Sequence, residues 1–303
     1  MADYPVSTGV STMSSTYIPE IWAAKTLVKF YKSTVFSDIA NTDYEGEIKG
    51  MGDKVHIRII PDISIRRYTI GQKLRYERPA TSDVELDIDK GYYYGIDVND
   101  VERAQSDLQY VEKWTDDGGE QLKIYIDADV LQNTYSDASS SNSGATAGVN
   151  SASFDLGTAS SPESIDKTNI LDYIVDMGSV LDEQNVPTTG RWLLLPPLFC
   201  GMIKKSDLKD ASLAGDSKSI MRNGKLGEID RFMIYNTNNL NSTSGVFDVM
   251  FGHPTGITFA SQLVRNETIK NPDDFGDILR GLQVYGYKVI KAEAIGHFVA
   301  QKA

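Results

Sequence analysis

Residues 101–135, VERAQSDLQYVEKWTDDGGEQLKIYIDADVLQNTY, read as one long amphipathic helix. Apolar side chains fall at Leu108, Val111, Trp114, Leu122, Ile126 and Val130, at spacings of three, four or eight. That is the helical period, and it places them on one stripe. Asp107, Glu112, Asp116, Asp117, Glu120 and Asp127 mostly lie off the stripe. From Asp107 to Gln132 the rod would run roughly 40 Å at about 1.5 Å per residue. Gly118 and Gly119 interrupt it, and each costs about 1 kcal/mol relative to Ala. A helix that keeps both is held by packing on its stripe rather than by propensity.

Immediately upstream, Val84, Leu86 and Ile88 alternate with Asp83, Glu85, Asp87 and Asp89. This predicts a half-buried strand with an acidic outer face. Lys90 and Gly91 turn the chain, and Tyr92, Tyr94, Ile96 and Val98 alternate again before Asp100 leads into the helix. Hairpin followed by helix is an α+β pattern. Farther upstream, 47–53 is turn-rich. Lys54 to Ile60 alternates, with Val55, Ile57 and Ile59 on one face and His56 and Arg58 on the other. Ile63 to Tyr68 and Lys73 to Glu77 read as two weaker strands around a turn near Gly71. A hairpin so poor in apolar residues is marginal in water, so its partners are expected on another subunit. Residues 1–15 are polar and suit an arm. From Pro19 a helix is predicted, with Ile21, Ala24, Val28, Tyr31 and Val35 on a stripe that must dock somewhere.

Downstream, 136–164 is rich in Ser, Gly, Ala, Thr and Asn, and reads as a mobile linker and domain boundary. Ser139 to Asn150 is then expected to tolerate insertions. Thr168 to Gln184 is a second helix, with Leu171, Ile174, Met177, Val180 and Leu181 inward. Trp192 to Leu195 is a buried strand, Pro197 to Lys204 a short helix, and Arg231 to Asn236 and Val246 to Phe251 further strands. Ile257 to Gln262, Leu282 to Ile290 and Ala294 to Ala300 are β-rich, and are expected to return to the first domain beside the long helix.

The 303 residues are 41% hydrophobic and 24% charged, enough for two globular domains without a disulfide framework. The single Cys200 sits in an apolar stretch and reads as a small buried hydrophobe in a reducing compartment. The first ten residues have neither a basic start nor an apolar run, so no signal peptide is expected. Trp192 to Cys200 is too short to span a membrane. A net charge of -12 argues against a general phosphate-backbone binder. Catalytic signatures are missing. His56, His253 and His297 stand far apart with no metal-binding spacing. No nucleophile elbow, phosphate loop or dinucleotide fingerprint occurs, and Asn223-Gly-Lys-Leu226 lacks the first glycine and the hydroxyl of a phosphate loop. Asp87-Ile-Asp89-Lys-Gly91 fails as a calcium loop at its third ligand and at its twelfth position, Val98. The arginine-rich hairpin, the docking helix and the long rod all need partners, so an oligomer is the economical reading. A metal-dependent hydrolase using the acidic clusters is the competing class.

Several stretches, in order, carry a resemblance: Ile18-Pro-Glu-Ile-Trp22, Asp43-Tyr-Glu-Gly-Glu-Ile-Lys-Gly50 with Gly52-Asp-Lys-Val55, and Asp97-Val-Asn-Asp-Val-Glu-Arg-Ala-Gln105. They continue with Val186-Pro-Thr-Thr-Gly-Arg-Trp192 through Pro196-Pro197, Asn223-Gly-Lys-Leu-Gly-Glu-Ile-Asp-Arg-Phe232 and Gly281-Leu-Gln-Val-Tyr-Gly-Tyr-Lys-Val-Ile290. Together they resemble the major capsid proteins of tailed bacteriophages, which have the Hong Kong 97-type fold. The resemblance implies an α+β capsid fold with these parts: an N-terminal arm (1–44), an extended loop (45–80), a peripheral domain with the spine helix (81–135), the linker (136–164), an axial domain (165–255) and return strands to the peripheral domain (256–303). It implies self-association into hexamers and pentamers of an icosahedral shell in the virion, assembled in the host cytoplasm around double-stranded DNA. Separate scaffolding, portal and decoration proteins are the implied partners, with no cofactor, no catalysis and no membrane. A short arm implies no fused scaffolding domain. Some relatives cross-link a loop lysine; Lys73 is the only lysine well out on this loop, and the uncross-linked form is the expectation. A nanocompartment shell shares the fold and is the alternative. An acidic chain also suits a shell that should not adhere to its DNA.

Within that reading the loop carries the interface residues. From Asp62 to Pro79 there are five basic residues, Arg66, Arg67, Lys73, Arg75 and Arg78, and two acidic ones, Asp62 and Glu77. Carboxylates of a neighbour are the expected partners, either Asp83, Glu85 and Asp87 on the strand or Asp116, Asp117 and Glu120 on the spine. The guanidinium fork suits bidentate contacts to carboxylates.

Overall fold

The computed structural model describes residues 32, 34–43, 54–59, 61, 63–79, 82–100, 110–206 and 227–303. The arm helix predicted from Pro19 and the Asn223–Leu226 turn lie outside them. The long helix is present as α2, Tyr110–Thr134. Upstream of it are α1 (Phe36–Ile39), β1 (Lys54–Ile59), β2 (Ser82–Asp87) and β3 (Lys90–Asn99). Downstream come β4 (Glu163–Ile165), α3 (Ile170–Glu183), β5 (Arg191–Leu195), α4 (Pro197–Lys205), β6 (Glu228–Ile229) and β7 (Phe232–Asn236). The chain ends with β8 (Ser242–Thr243), β9 (Val246–Gly252), β10 (Ile257–Lys270), β11 (Gly276–Val289) and β12 (Ile295–Lys302).

Among the described residues a seven-stranded mixed sheet runs β4-β12-β9-β5-β7-β6, with β8 beside β9. Its centre, β5, is buried along its whole length, so it reads as a continuous apolar run rather than an alternation. Leu193 and Leu195 face α3 and α4, where Ile174, Met177, Val180, Leu181, Phe199 and Ile203 complete one core. Trp192 and Leu194 face the other way, into a second core with Ile126, Val130 and Leu131 of α2, Val35 and Ile39. Cys200 is buried as expected, and burial pushes its thiol up to about 11.

The three-stranded sheet β10-β11-β3 lies along α2. Tyr285 donates a hydrogen bond to Asp129 Oδ2 at 2.7 Å, and Lys90 sits 4.8 Å from the Tyr287 ring centroid and 3.7 Å from Asp129. Gly118 explains one glycine of the rod. A Cβ there would lie 3.0 Å from the Tyr94 ring, so only glycine lets that ring rest on the helix backbone. The buried stripe is shorter than predicted. Ile126 and Val130 are fully buried, but Trp114 is exposed, because the second core reaches only the C-terminal half of the rod.

Four expectations are corrected. The strand at β2 does not form a hairpin with β3: β2 pairs antiparallel with β1, and β3 with β11. Leu86 and Ile88 are buried with Val55 and Ile57 against Val284, so the chain changes sheets at Ile88 and Asp89 instead of turning back. The strand at 295–302 does not join the strands beside α2; β12 pairs with β9 and β4 in the seven-stranded sheet. Residues 63–79 form no ladder of two strands, only a turn at Ile70 and Gly71 between extended arms.

The fourth correction is the largest. Residues 136–164 are not a mobile linker. Ala147 and Leu156 are fully buried in the α3–α4 core. Asn142, also fully buried, donates to Glu293 O at 2.7 Å and Ile295 O at 3.0 Å, and accepts from Gln184 Nε2 at 3.0 Å. Val299 N donates to Leu156 O at 2.9 Å, which ties the segment to β12. Glu183 Oε2 accepts from Asn150 N and Ser151 N at 2.8 and 3.1 Å. Small polar residues satisfy one another's backbone here, and a few apolar anchors suffice to seat the segment.

Candidate assembly surfaces

The extended loop is the most exposed stretch of the described chain. Ile65, Ile70 and Tyr76 are 92%, 93% and 89% exposed. Arg66, Arg67, Lys73, Arg75 and Arg78 all stand in solvent. Two contacts brace the arms across the turn: Ser64 N donates to Glu77 Oε1 at 2.6 Å, and Arg66 lies 3.6 Å from Glu77 Oε2. The Ser64 bond, then Arg66, hold the Glu77 carboxyl below its usual range. Among the described residues 63–79 one carboxylate therefore serves five cations, and the surplus positive charge faces outward together with the apolar side chains.

The two acidic partners named from sequence differ in what they offer. On the β1–β2 ladder, Lys54 stands opposite Asp87, His56 opposite Glu85 and Arg58 opposite Asp83. Lys54 reaches Glu85 at 2.9 Å and Asp87 at 3.1 Å, and His56 Nδ1 reaches Asp83 at 2.7 Å. Glu85 and Asp87 hold the Lys54 ammonium above its usual pKa. The strand carboxylates thus already have partners on their own ladder, which the reading of β2 alone missed. On α2, Asp116 is exposed, Asp117 is half-buried and Glu120 pairs with Lys123 at 2.7 Å. Loop and carboxylates are not brought together within the chain among the described contacts.

Asp127 is a residue that the sequence placed off the stripe and the fold buries completely. Its Oδ1 accepts from Val35 N and Phe36 N, both at 2.8 Å, and its Oδ2 accepts from Asn239 Nδ2 at 2.6 Å. One carboxylate joins the start of α1, the long helix and the loop after β7. Burial pushes its pKa up against the opposing hydrogen bonds from Asn239, Val35 and Phe36. The available signal was an acid beside Ile126 on an otherwise apolar turn.

No cluster of three or more His, Cys, Asp or Glu side chains suited to a metal occurs among the described residues. No described helix is long and apolar enough to cross a membrane. His253 and His297 are engaged locally, with Thr255 and Asp248.

No protein-family model matches the sequence, and no curated protein is significantly similar to it. Solved structures do match along nearly the whole chain. A chain from Mycobacterium phage Che8 is 25% identical, with a TM-score of 0.78, covering 94% of this chain and 98% of that one. The capsid structure of the cyanophage P-SCSP1u is 14% identical, with a TM-score of 0.73 and coverages of 98% and 97%. The capsid of a native GTA particle is 13% identical, with a TM-score of 0.67 and coverages of 94% and 96%. The chain has the α+β Hong Kong 97-type fold of tailed-phage major capsid proteins, and the resemblance drawn from its sequence is borne out.

Proposed function

We propose that this chain is a phage major capsid protein whose copies form the hexamers and pentamers of a closed icosahedral shell around double-stranded DNA. Its role is structural, its place is the virion, and its assembly takes place in the host cytoplasm with separate scaffolding, portal and decoration proteins. The observation that carries this reading is the extended loop, which exposes large apolar side chains and a surplus of arginines without a seat on its own subunit. Such a patch marks a surface meant for another protein. The strand carboxylates Asp83, Glu85 and Asp87 already have partners on their own ladder, which favours the spine carboxylates Asp116, Asp117 and Glu120 as the loop's acidic partners on a neighbour. The alternative shell, a nanocompartment, has less support because the similar structures named above come from phages and a GTA particle.

Exposed ion pairs contribute only about 0–1 kcal/mol each, so several are needed and salt weakens them. Many weak contacts repeated by symmetry sum to a stable shell. Expression with and without a scaffold, followed by sedimentation and electron microscopy, should give hollow polyhedra or open sheets. Replacing Arg66 and Arg67 with Glu should leave the circular dichroism unchanged and reduce particle yield, most at low salt. A parent that stays monomeric at high concentration under both conditions contradicts the proposal.

A further inference from the structure

We propose that the far end of the β10–β11 hairpin docks into a groove on the same three-stranded sheet of a second copy of this chain. This rests on the shell-forming reading and names one contact within it. The hairpin end is residues 271–275, Asn-Pro-Asp-Asp-Phe, and it is rigidly built. Asn271 Oδ1 accepts from Asp273 N at 2.9 Å, and Asp274 Oδ1 accepts from Phe275 N at 2.8 Å. Asn99 Nδ2 donates to Asp274 Oδ2 at 2.8 Å, and Asn271 Nδ2 donates to Asp97 Oδ1 at 3.1 Å. A Cβ at Gly276 would lie 2.3 Å from Val98 O, so β3 is pressed directly against the turn. This braced turn holds Phe275 83% exposed, flanked by the exposed Asp273 and Asp274. Displaying an aromatic ring on a preorganised turn lowers the ordering cost of burying it in a partner.

The groove lies on the sheet face turned away from α2. Tyr94 points to α2 and rests on Gly118, so its neighbour Tyr93 points to the opposite face. Tyr93, Leu282 and Arg265 stand side by side across the three strands. With Glu267, Arg280 and Gly281 they line an open groove of about 270 Å³. A cavity of about 150 Å³ holds benzene, so the groove admits a phenyl ring. Tyr93, Leu282 and Gly281 supply its apolar lining. Its rim is two arginines sharing one carboxylate: Arg265 meets Glu267 at 2.8 Å, and Arg280 bonds the same side chain. The rim keeps a surplus positive charge.

An aromatic ring beside two carboxylates thus matches an apolar lining beside two guanidinium groups. The hairpin cannot fill its own groove. Arg265 to Lys270 is five residues of strand, roughly 17 Å at about 3.4 Å per residue, and the strands hold the two apart. The contact must therefore pass from one copy to the next. A head-to-tail contact of that kind closes only through symmetry, which a shell supplies.

The test is disulfide trapping in assembled particles. Pro272→Cys with Tyr93→Cys, oxidised with diamide, should give linked subunits on a non-reducing gel at least tenfold above either single variant. The native Cys200 is 4% exposed and stays silent. Independently, Asp273→Arg and Arg265→Asp should each lower particle yield at least fivefold, and the two together should restore it. Intact particles with no linked subunits, or yields that the charge swap leaves unmoved, overturn the docking and leave the shell standing. A parent that never assembles overturns both.

Discussion

Two loop-like regions of this chain have opposite fates. Residues 136–164 have the composition of a linker, yet the fold seats them on the α3–α4 core through Ala147, Leu156 and Asn142. Residues 63–79 contain six exposed large hydrophobics, Ile63, Ile65, Tyr68, Ile70, Leu74 and Tyr76, and bury none of them. Composition ranks the two in the wrong order. What separates them is whether the subunit supplies a complementary surface. The first has α3, β12 and a row of backbone partners beneath it; the second has only its own turn.

The sharpest way to break that contrast is insertion. A short tag between Ala147 and Phe154 should abolish soluble folded protein, because it splits the reciprocal backbone bonds between those residues. The same tag after Ile70 should leave a folded subunit; circular dichroism and gel filtration distinguish the outcomes. Next in size is a matched pair of truncations. Leu156→Ala should cost about 2–5 kcal/mol in chemical denaturation. Ile70→Ala, equally apolar but exposed, should stay within about 0.5 kcal/mol of the parent. Asn142→Ala should cost about 1–3 kcal/mol, since it strands the carbonyls of Glu293 and Ile295 and the amide of Gln184. Retention of full stability in that variant would show that the seat is held by Ala147 and Leu156 alone.

The smallest effect is a pH dependence. The backbone amide of Asn150, then Ser151, hold the Glu183 carboxyl below its ordinary value. A depressed folded pKa means the unfolded chain takes up the proton first as pH falls. Stability from Glu183 is therefore fully present above the ordinary glutamate range and is lost as pH drops through the lowered folded value. Glu183→Gln should melt below the parent at neutral pH, and the gap in Tm should close on acidification. A constant gap from pH 7 to 3 would locate the effect in packing rather than in the charge.

Most elements were legible because their signals are local. The 3.6-residue period revealed α2 and α3, alternation revealed β1 and β2, and the apolar run before Pro196 revealed β5. Element pairing was less legible. β3 joins β11 across almost two hundred positions, and the only local hint for β2 and β3, Lys90-Gly91, suggested a hairpin that does not exist. The loop arginines were visible as a charge excess, whereas the pairing of Asp83, Glu85 and Asp87 required the register of β1 against β2.

By itself the sequence determined the long rod, the order of helices and strands, the acidic balance and a loop with a surplus of arginines. These are properties of a residue and its near neighbours, set by backbone periodicity and side-chain chemistry. The tertiary structure alone decided that Asp127 is buried as the tie between α1, α2 and the Asn239 loop, that a serine-rich stretch is packed, and which strand each edge adopts. Burial and pairing depend on groups far apart in the chain. A carboxylate or a serine carries no local mark of the amide that the fold will bring to it.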